Sequence, residues 1–153
     1  MRLYLDTSVF GAIFDEEPPG REETTRSFFR RAKVRRDDLY ISDVVLDEIA
    51  RAPAHLRPAL EELVSEVGPM VLPESSETLE LAEAYLGFRI VPPRFRDDAR
   101  HVAVASVAGV EALVSWNFKH LVNLRRKRLI HSVNLRFGYP LIDLISPEEV
   151  LYG

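Results

Sequence analysis

The 153-residue sequence contains no cysteine. That excludes disulfide bonds, thiolate zinc sites and cysteine nucleophiles together, and removes the usual mark of an oxidising compartment. No stretch approaches the roughly 20 consecutive apolar residues that a membrane-spanning helix needs. A basic and then apolar leader is also missing, because "MRLYL" runs directly into a candidate strand. A soluble, cytoplasmic protein is the expectation. Internal repeats and low-complexity tracts are absent as well, and Pro18-Pro19 and Pro92-Pro93 read as loops, not linkers. One domain over residues 1–153 follows, long enough to bury roughly two-thirds of the surface its unfolded chain exposes.

Charge of one sign is missing locally. The chain carries 24 acidic and 20 basic residues for a net charge of -4, which by itself argues against a nucleic-acid partner. Yet between Glu111 and Asp143 there is no acid, while Lys119, Arg125, Arg126, Lys127, Arg128 and Arg136 fall in that gap. The "RRKR" run has two readings: a solvated helix face, or a set of phosphate contacts made by Arg125, Arg126, Lys127 and Arg128.

What is present is an alternation of short apolar runs and helical patterns. Strands are expected at Leu3–Asp6, Leu39–Ser42, Ala112–Ser115 and Leu141–Ile145, with a further short one at Val71 and Leu72. Helices are expected over Thr7–Phe14, Arg21–Val34, Asp43–Ala52, Ala54–Val67, Ser75–Arg89 and Asp97–Ala108, the last stopped by Gly109. This order predicts an α/β fold, a single three-layer α/β/α domain with a central, mainly parallel sheet. In such sheets functional groups gather at the carboxyl ends of the strands.

Acids and amides fall at those ends. Asp6 closes the first apolar run, where a buried and unpaired carboxylate costs several kcal/mol unless a cation or strong donors meet it. Glu48 lies one turn beyond Val44 in "ISDVVLDEIAR", Asp98 opens the helix of "DDARHVAVASVAG", and Ser115 and Asn117 follow the strand of "ALVSWNFKHL". Each has a plainer reading. Asp6 and Asp98 can cap helices, with Asp97 competing for the second cap, and Glu48 can be solvated like Asp47. Convergence of three carboxylates from separate segments favours a hard, oxygen-seeking ion, Mg²⁺ or Mn²⁺, able to support phosphodiester cleavage. His101, one turn after Asp98, either orients a carboxylate or the substrate or is an ordinary satisfied surface or half-buried histidine. Trp116 and Phe118 are either core or a surface for an unpaired base.

Through "LDTSV", "ISDVVLDEI", "DDARHVAVA" and "LVSWNFKHL", taken in that order and spacing, the sequence resembles the PIN-domain family, and within it the small VapC-like toxin ribonucleases. The resemblance implies a metal-dependent endoribonuclease with Asp6, Glu48 and Asp98 as metal ligands and Ser115 in the family's Ser/Thr position. It also implies an RNA substrate, an inhibitory antitoxin partner and a homodimer, for which "LELAEAYLGFRI" offers apolar surface. Asn117 stands where many relatives have a fourth acid, which lowers the site charge by one. The alternative function is therefore a PIN-fold RNA-binding or partner-binding module with weakened chemistry. A phosphatase with Asp6 as nucleophile is disfavoured, since the acid expected two positions on is Ser8.

Overall fold

The apolar runs assemble into one sheet. The computed structural model describes all 153 residues, with strands β1 (Arg2–Leu5), β2 (Asp38–Ser42), β3 (Met70–Leu72), β4 (Ala112–Val114) and β5 (Asp143–Ile145). All pairings are parallel and the spatial order is β3-β2-β1-β4-β5. Leu3 is in register with Leu39 on one side and Ala112 on the other, so β1 lies at the centre. Leu3, Tyr4 and Leu5 are wholly buried, as a parallel strand covered on both faces requires.

Helices α1 (Thr7–Gly11), α2 (Arg21–Arg35), α3 (Asp43–Ala50) and α4 (Arg57–Val67) contribute Val9, Phe10, Phe28, Val45, Ile49 and Leu60 to a core under Leu3, Leu5 and Ile41. On the opposite face, α5 (Ser76–Gly87), α6 (Arg96–Ala108) and α7 (Leu124–Phe137) pack Leu81, Tyr85, Val102, Ala103, Ile130 and Val133 around Tyr4 and Leu113. Each large side chain removed from water in these layers contributes roughly 1.5–3 kcal/mol. A short α8 (Pro147–Tyr152) returns to the first face, against α2.

The small side chains of α6 let it approach the sheet, with Ala99, Ala103 and Ala105 fully buried. A polar knot locks its neighbours: the Tyr85 hydroxyl donates to Asn134 Oδ1, and Asn134 Nδ2 donates to Ser106 Oγ and to the Pro140 carbonyl, each at 2.9 Å. Gly109, at φ +67°, ends α6 in the left-handed conformation that a glycine C-cap adopts most easily.

The predicted α/β/α architecture is the observed one. Differences lie at the edges. The helix expected from Ala54 starts at Arg57 with Pro58 in its first turn, where a missing N–H costs nothing. The last strand begins at Asp143, since Leu141 is half exposed after Pro140. Helices α7 and α8 come in addition to the expected helices, and Asn123 and Ser146 each cap one by accepting a backbone N–H.

From β1 the chain winds outward through β2 and β3 on one side of it within the sheet. It then crosses to β4 and β5 on the other. The crevice at this reversal lies between the carboxyl ends of β1 and β4, where Asp6 and Ser115 stand.

Candidate active site

Asp6 continues β1 by donating its N–H to the Val114 carbonyl at 3.2 Å, and its side chain is buried. Oδ1 accepts from the Ser8 N–H at 3.1 Å and the Ser8 hydroxyl at 2.5 Å, while Oδ2 accepts from the Ser115 hydroxyl at 2.6 Å. The cap reading is thus realised: Asp6 caps α1. Ser8 and Ser115 in turn accept the backbone N–H groups of Trp116 and Asn117, both at 2.9 Å, which ties the β4 loop to the β1 end. Burial nonetheless raises the Asp6 carboxyl above its ordinary value; His101 and the two serines oppose that rise and Glu48 adds to it.

Glu48 reaches the same crevice from α3. Thr7 Oγ1 donates to its Oε1 at 2.8 Å and His101 Nε2 donates to the same oxygen at 2.5 Å. Behind the imidazole, Nδ1 meets the Tyr4 hydroxyl at 2.7 Å, and that hydroxyl meets Ser42 Oγ at 2.6 Å. This chain runs through the buried layer from the end of β2 to Glu48. Burial works against charge on both Glu48 and His101, but their hydrogen bond outweighs it: the carboxyl is held below its usual range and the imidazole above. His101 is therefore the orienting group that its spacing from Asp98 allowed. Tyr4 carried no signal, because in an apolar run it reads as core.

Asp98 enters from the first turn of α6. Its Oδ2 accepts a single side-chain hydrogen bond, from Asn117 Nδ2 at 3.1 Å. The His120 N–H donates to Asn117 Oδ1 at 3.0 Å, which fixes the amide with its donor toward Asp98. Burial, then the charges of Asp6 and Glu48, push the Asp98 carboxyl up to about 6, against partial relief from His101 and Asn117. The neighbouring acids behave differently. Asp97 pairs with Arg51 and Arg100, and Asp47 with Arg100, at 2.7–3.1 Å. On both α3 and α6, the outward acid of an adjacent pair meets an arginine. Asp6, Glu48 and Asp98 have no Lys or Arg partner.

Carboxylates from three segments face one crevice, near enough for the charges of Asp6 and Glu48 to raise the proton affinity of Asp98, and oxygen donors of this kind suit a hard divalent cation. No group of three or more acidic or imidazole side chains is positioned to hold an ion directly. The full three-acid set expected from the resemblance is not assembled. The arrangement fits an ion such as Mg²⁺, which uses one or two carboxylates and keeps several waters.

The basic run opens α7. Arg125 and Arg128 are exposed, Arg126 is half-buried, and Lys127 pairs with Asp143 at 3.2 Å. Trp116 is core: its Nε1 donates to Thr25 Oγ1 at 2.9 Å, whereas Phe118 beside it is 42 % exposed. No helix is long and apolar enough to cross a membrane.

No curated protein matches the chain in sequence. Solved structures share its fold. VapBC2 from Rickettsia felis, bound to a DNA fragment from their promoter, aligns over 95 % of this chain and 98 % of its own with a TM-score of 0.57 at 13 % identity. FitAcB from Neisseria gonorrhoeae gives 0.58 at 12 % identity over 95 % and 97 %. The sarcin-ricin loop cleaving toxin VapC20 of Mycobacterium tuberculosis gives 0.53 at 16 % identity over 77 % and 92 %. The family model of the PIN domain matches residues 3–117, a span that opens just before Asp6, closes on Asn117 and takes in every acid of the crevice; the chain belongs to the PIN-domain family.

Proposed function

We propose that this protein is a Mg²⁺- or Mn²⁺-dependent endoribonuclease, the toxin of a toxin-antitoxin pair acting in the cytoplasm. The observation that carries the reading is the division of acids around the crevice. Outward Asp47 and Asp97 are neutralised by arginines, while Asp6 and Asp98 have no cationic partner and Glu48 has only the His101 imidazole at the switch point of the sheet. A bound divalent ion supplies charge neutralisation for the phosphodiester and activation of water. The chain's own residues prepare the site: Ser8 and Ser115 orient Asp6, Thr7 and His101 orient Glu48, and Asn117 orients Asp98. The phosphate-binding role of Arg125, Arg126 and Arg128 belongs to this reading, with Lys127 the weakest of the four because it already has a carboxylate partner. An antitoxin partner follows from the likeness to VapBC2 and FitAcB. A homodimer has narrower support, since Leu81, Tyr85 and Ile90 of "LELAEAYLGFRI" are buried and only Leu79 and Phe88 remain exposed among its larger apolar side chains.

One observation favours the alternative, an RNA-binding module without turnover: Asn117 turns a donor toward Asp98 where a fourth acid would add a ligand. Incubating single-stranded RNA with Mn²⁺, Mg²⁺ or EDTA separates the two. Ion-dependent cleavage, lost in both Asp6→Asn and Asp98→Asn, is the expected result. RNA binding without cleavage in any divalent ion would favour the module.

A further inference from the structure

The loop after β4 carries features that the acid cluster does not use. Phe118, exposed at its tip, lies edge-on to Trp116 with ring centroids 6.0 Å apart. The Arg21 guanidinium at the start of α2 sits over both rings, 4.9 Å from Trp116 and 5.5 Å from Phe118. Two residues beyond Phe118, buried His120 lies against Phe95 with ring centroids 4.2 Å apart, and Arg94 lies over Phe95 at 4.9 Å. The His120 imidazole is pushed down by burial and then by the charges of Arg126, Lys119 and Arg94; Lys119 precedes it in the loop, and the Arg126 N–H donates to Asn123 Oδ1 at the loop's end. Its Nδ1 is a buried polar atom with no partner. Arg21, Arg94, Lys119 and Arg126 form no ion pair, in a chain with an excess of acids.

An exposed aromatic ring steadied by a guanidinium on one flank, and unpaired cations on the other, suit a single strand. The ring offers a face for an unpaired base, and the cations meet backbone phosphates. Asn117, next to Phe118 in the chain, ties this loop to the crevice with its amide on Asp98. We infer that loop 116–123 is a single-stranded RNA subsite, in which Phe118, backed by Arg21, stacks an unpaired base while Arg94, Lys119 and Arg126 hold neighbouring phosphates. The subsite rests on the ribonuclease reading for its RNA and moves the phosphate path from the whole "RRKR" run to cations that come from three separate segments. Lys127, held by Asp143, lies outside it.

The test is binding, not cleavage. Fluorescence anisotropy of a labelled 12-nucleotide single-stranded RNA in EDTA, titrated over a range of salt, compares wild type with Phe118→Ala, Phe118→Trp, Arg94→Ala/Lys119→Ala and Lys127→Ala. Phe118→Ala should weaken binding about 5- to 150-fold, the range for loss of one base stack, with the salt slope unchanged. Phe118→Trp should restore affinity. The Arg94→Ala/Lys119→Ala pair should lower the salt slope by about 1.4, at about 0.7 per single-strand phosphate contact, and Lys127→Ala should leave it in place. A blunt RNA duplex should not distinguish Phe118→Ala from wild type. Phe118 is exposed, so unchanged melting temperatures separate lost contact from lost fold. Equal affinity of Phe118→Ala and wild type for the single strand, or no RNA binding by wild type, would overturn the subsite even if the enzyme cleaves RNA. Phe118-dependent binding by a protein that cleaves nothing would uphold the subsite and count against the nuclease reading alone.

Discussion

Asp98→Asn is the most direct probe of the uncompensated charge in the crevice. Asp98 accepts only the Asn117 amide, whereas Asp6 is met by three donors and Glu48 by two. Its carboxyl is pushed up to about 6 from an ordinary 3.8. At about 1.4 kcal/mol for each tenfold change in proton affinity, the ionised form therefore costs the metal-free fold about 3 kcal/mol. The sign follows from which state holds the proton. Below about pH 3 the group is protonated folded and unfolded, and contributes nothing. Between about 4 and 6 only the folded state holds the proton, so stability falls as pH rises, and above about 6 the full penalty stands. Asparagine keeps the shape and can still accept from Asn117 through its amide oxygen. In EDTA at pH 7.5 the variant should melt higher by about 6–12 °C, using about 2–4 °C per kcal/mol for a chain of this size. At pH 3 the two proteins should melt together. Excess Mn²⁺ should narrow or invert the gap at pH 7.5, because an ion at 100 times its dissociation constant adds about 2.7 kcal/mol to the protein that binds it. A variant less stable than wild type at pH 7.5, or a gain of equal size at both pH values, would refute the reasoning.

His101→Ala should destabilise the protein by about 2–4 kcal/mol in urea denaturation, since it strips a buried hydrogen-bond partner from both Glu48 and Tyr4 and opens a cavity between them. Ser115→Ala should cost about 1–3 kcal/mol by the same assay, because the hydroxyl joins the buried Asp6 carboxylate to the Asn117 N–H. Asn117→Asp should lower the melting temperature in EDTA, where an acceptor and a charge replace the donor to Asp98, and should tighten Mn²⁺ in isothermal titration; unchanged Mn²⁺ affinity would remove Asn117 from the cation's surroundings.

The sheet was legible because burying a parallel strand on both faces demands a continuous apolar run, and Leu3–Leu5, Leu39–Ile41 and Ala112–Val114 supply such runs without reference to anything distant. Asp6, Ser115 and Asn117 were legible for the same reason, since a polar residue that ends such a run must lie at the mouth of the sheet. Helix α6 ends where Gly109 takes the left-handed conformation, and α4 begins where Pro58 fits its first turn. The rest depended on pairing and rotation, which local sequence does not encode. Asp97 and Asp98 differ by about 100° around α6. Only the packing of that helix on β1 and α3 turns one toward Arg51 and Arg100 and the other toward the crevice. Tyr4 looks like any core aromatic until the β1–β2 register and the position of α6 bring Ser42 and His101 to its hydroxyl. Likewise, a sequence lists its cations but not which have partners. Asp143 claims Lys127, while Arg21, Arg94 and Lys119, far apart in the chain, meet at one loop. Charge neutralisation falls off over a few ångströms, so it is settled by distances that exist only after the layers have packed.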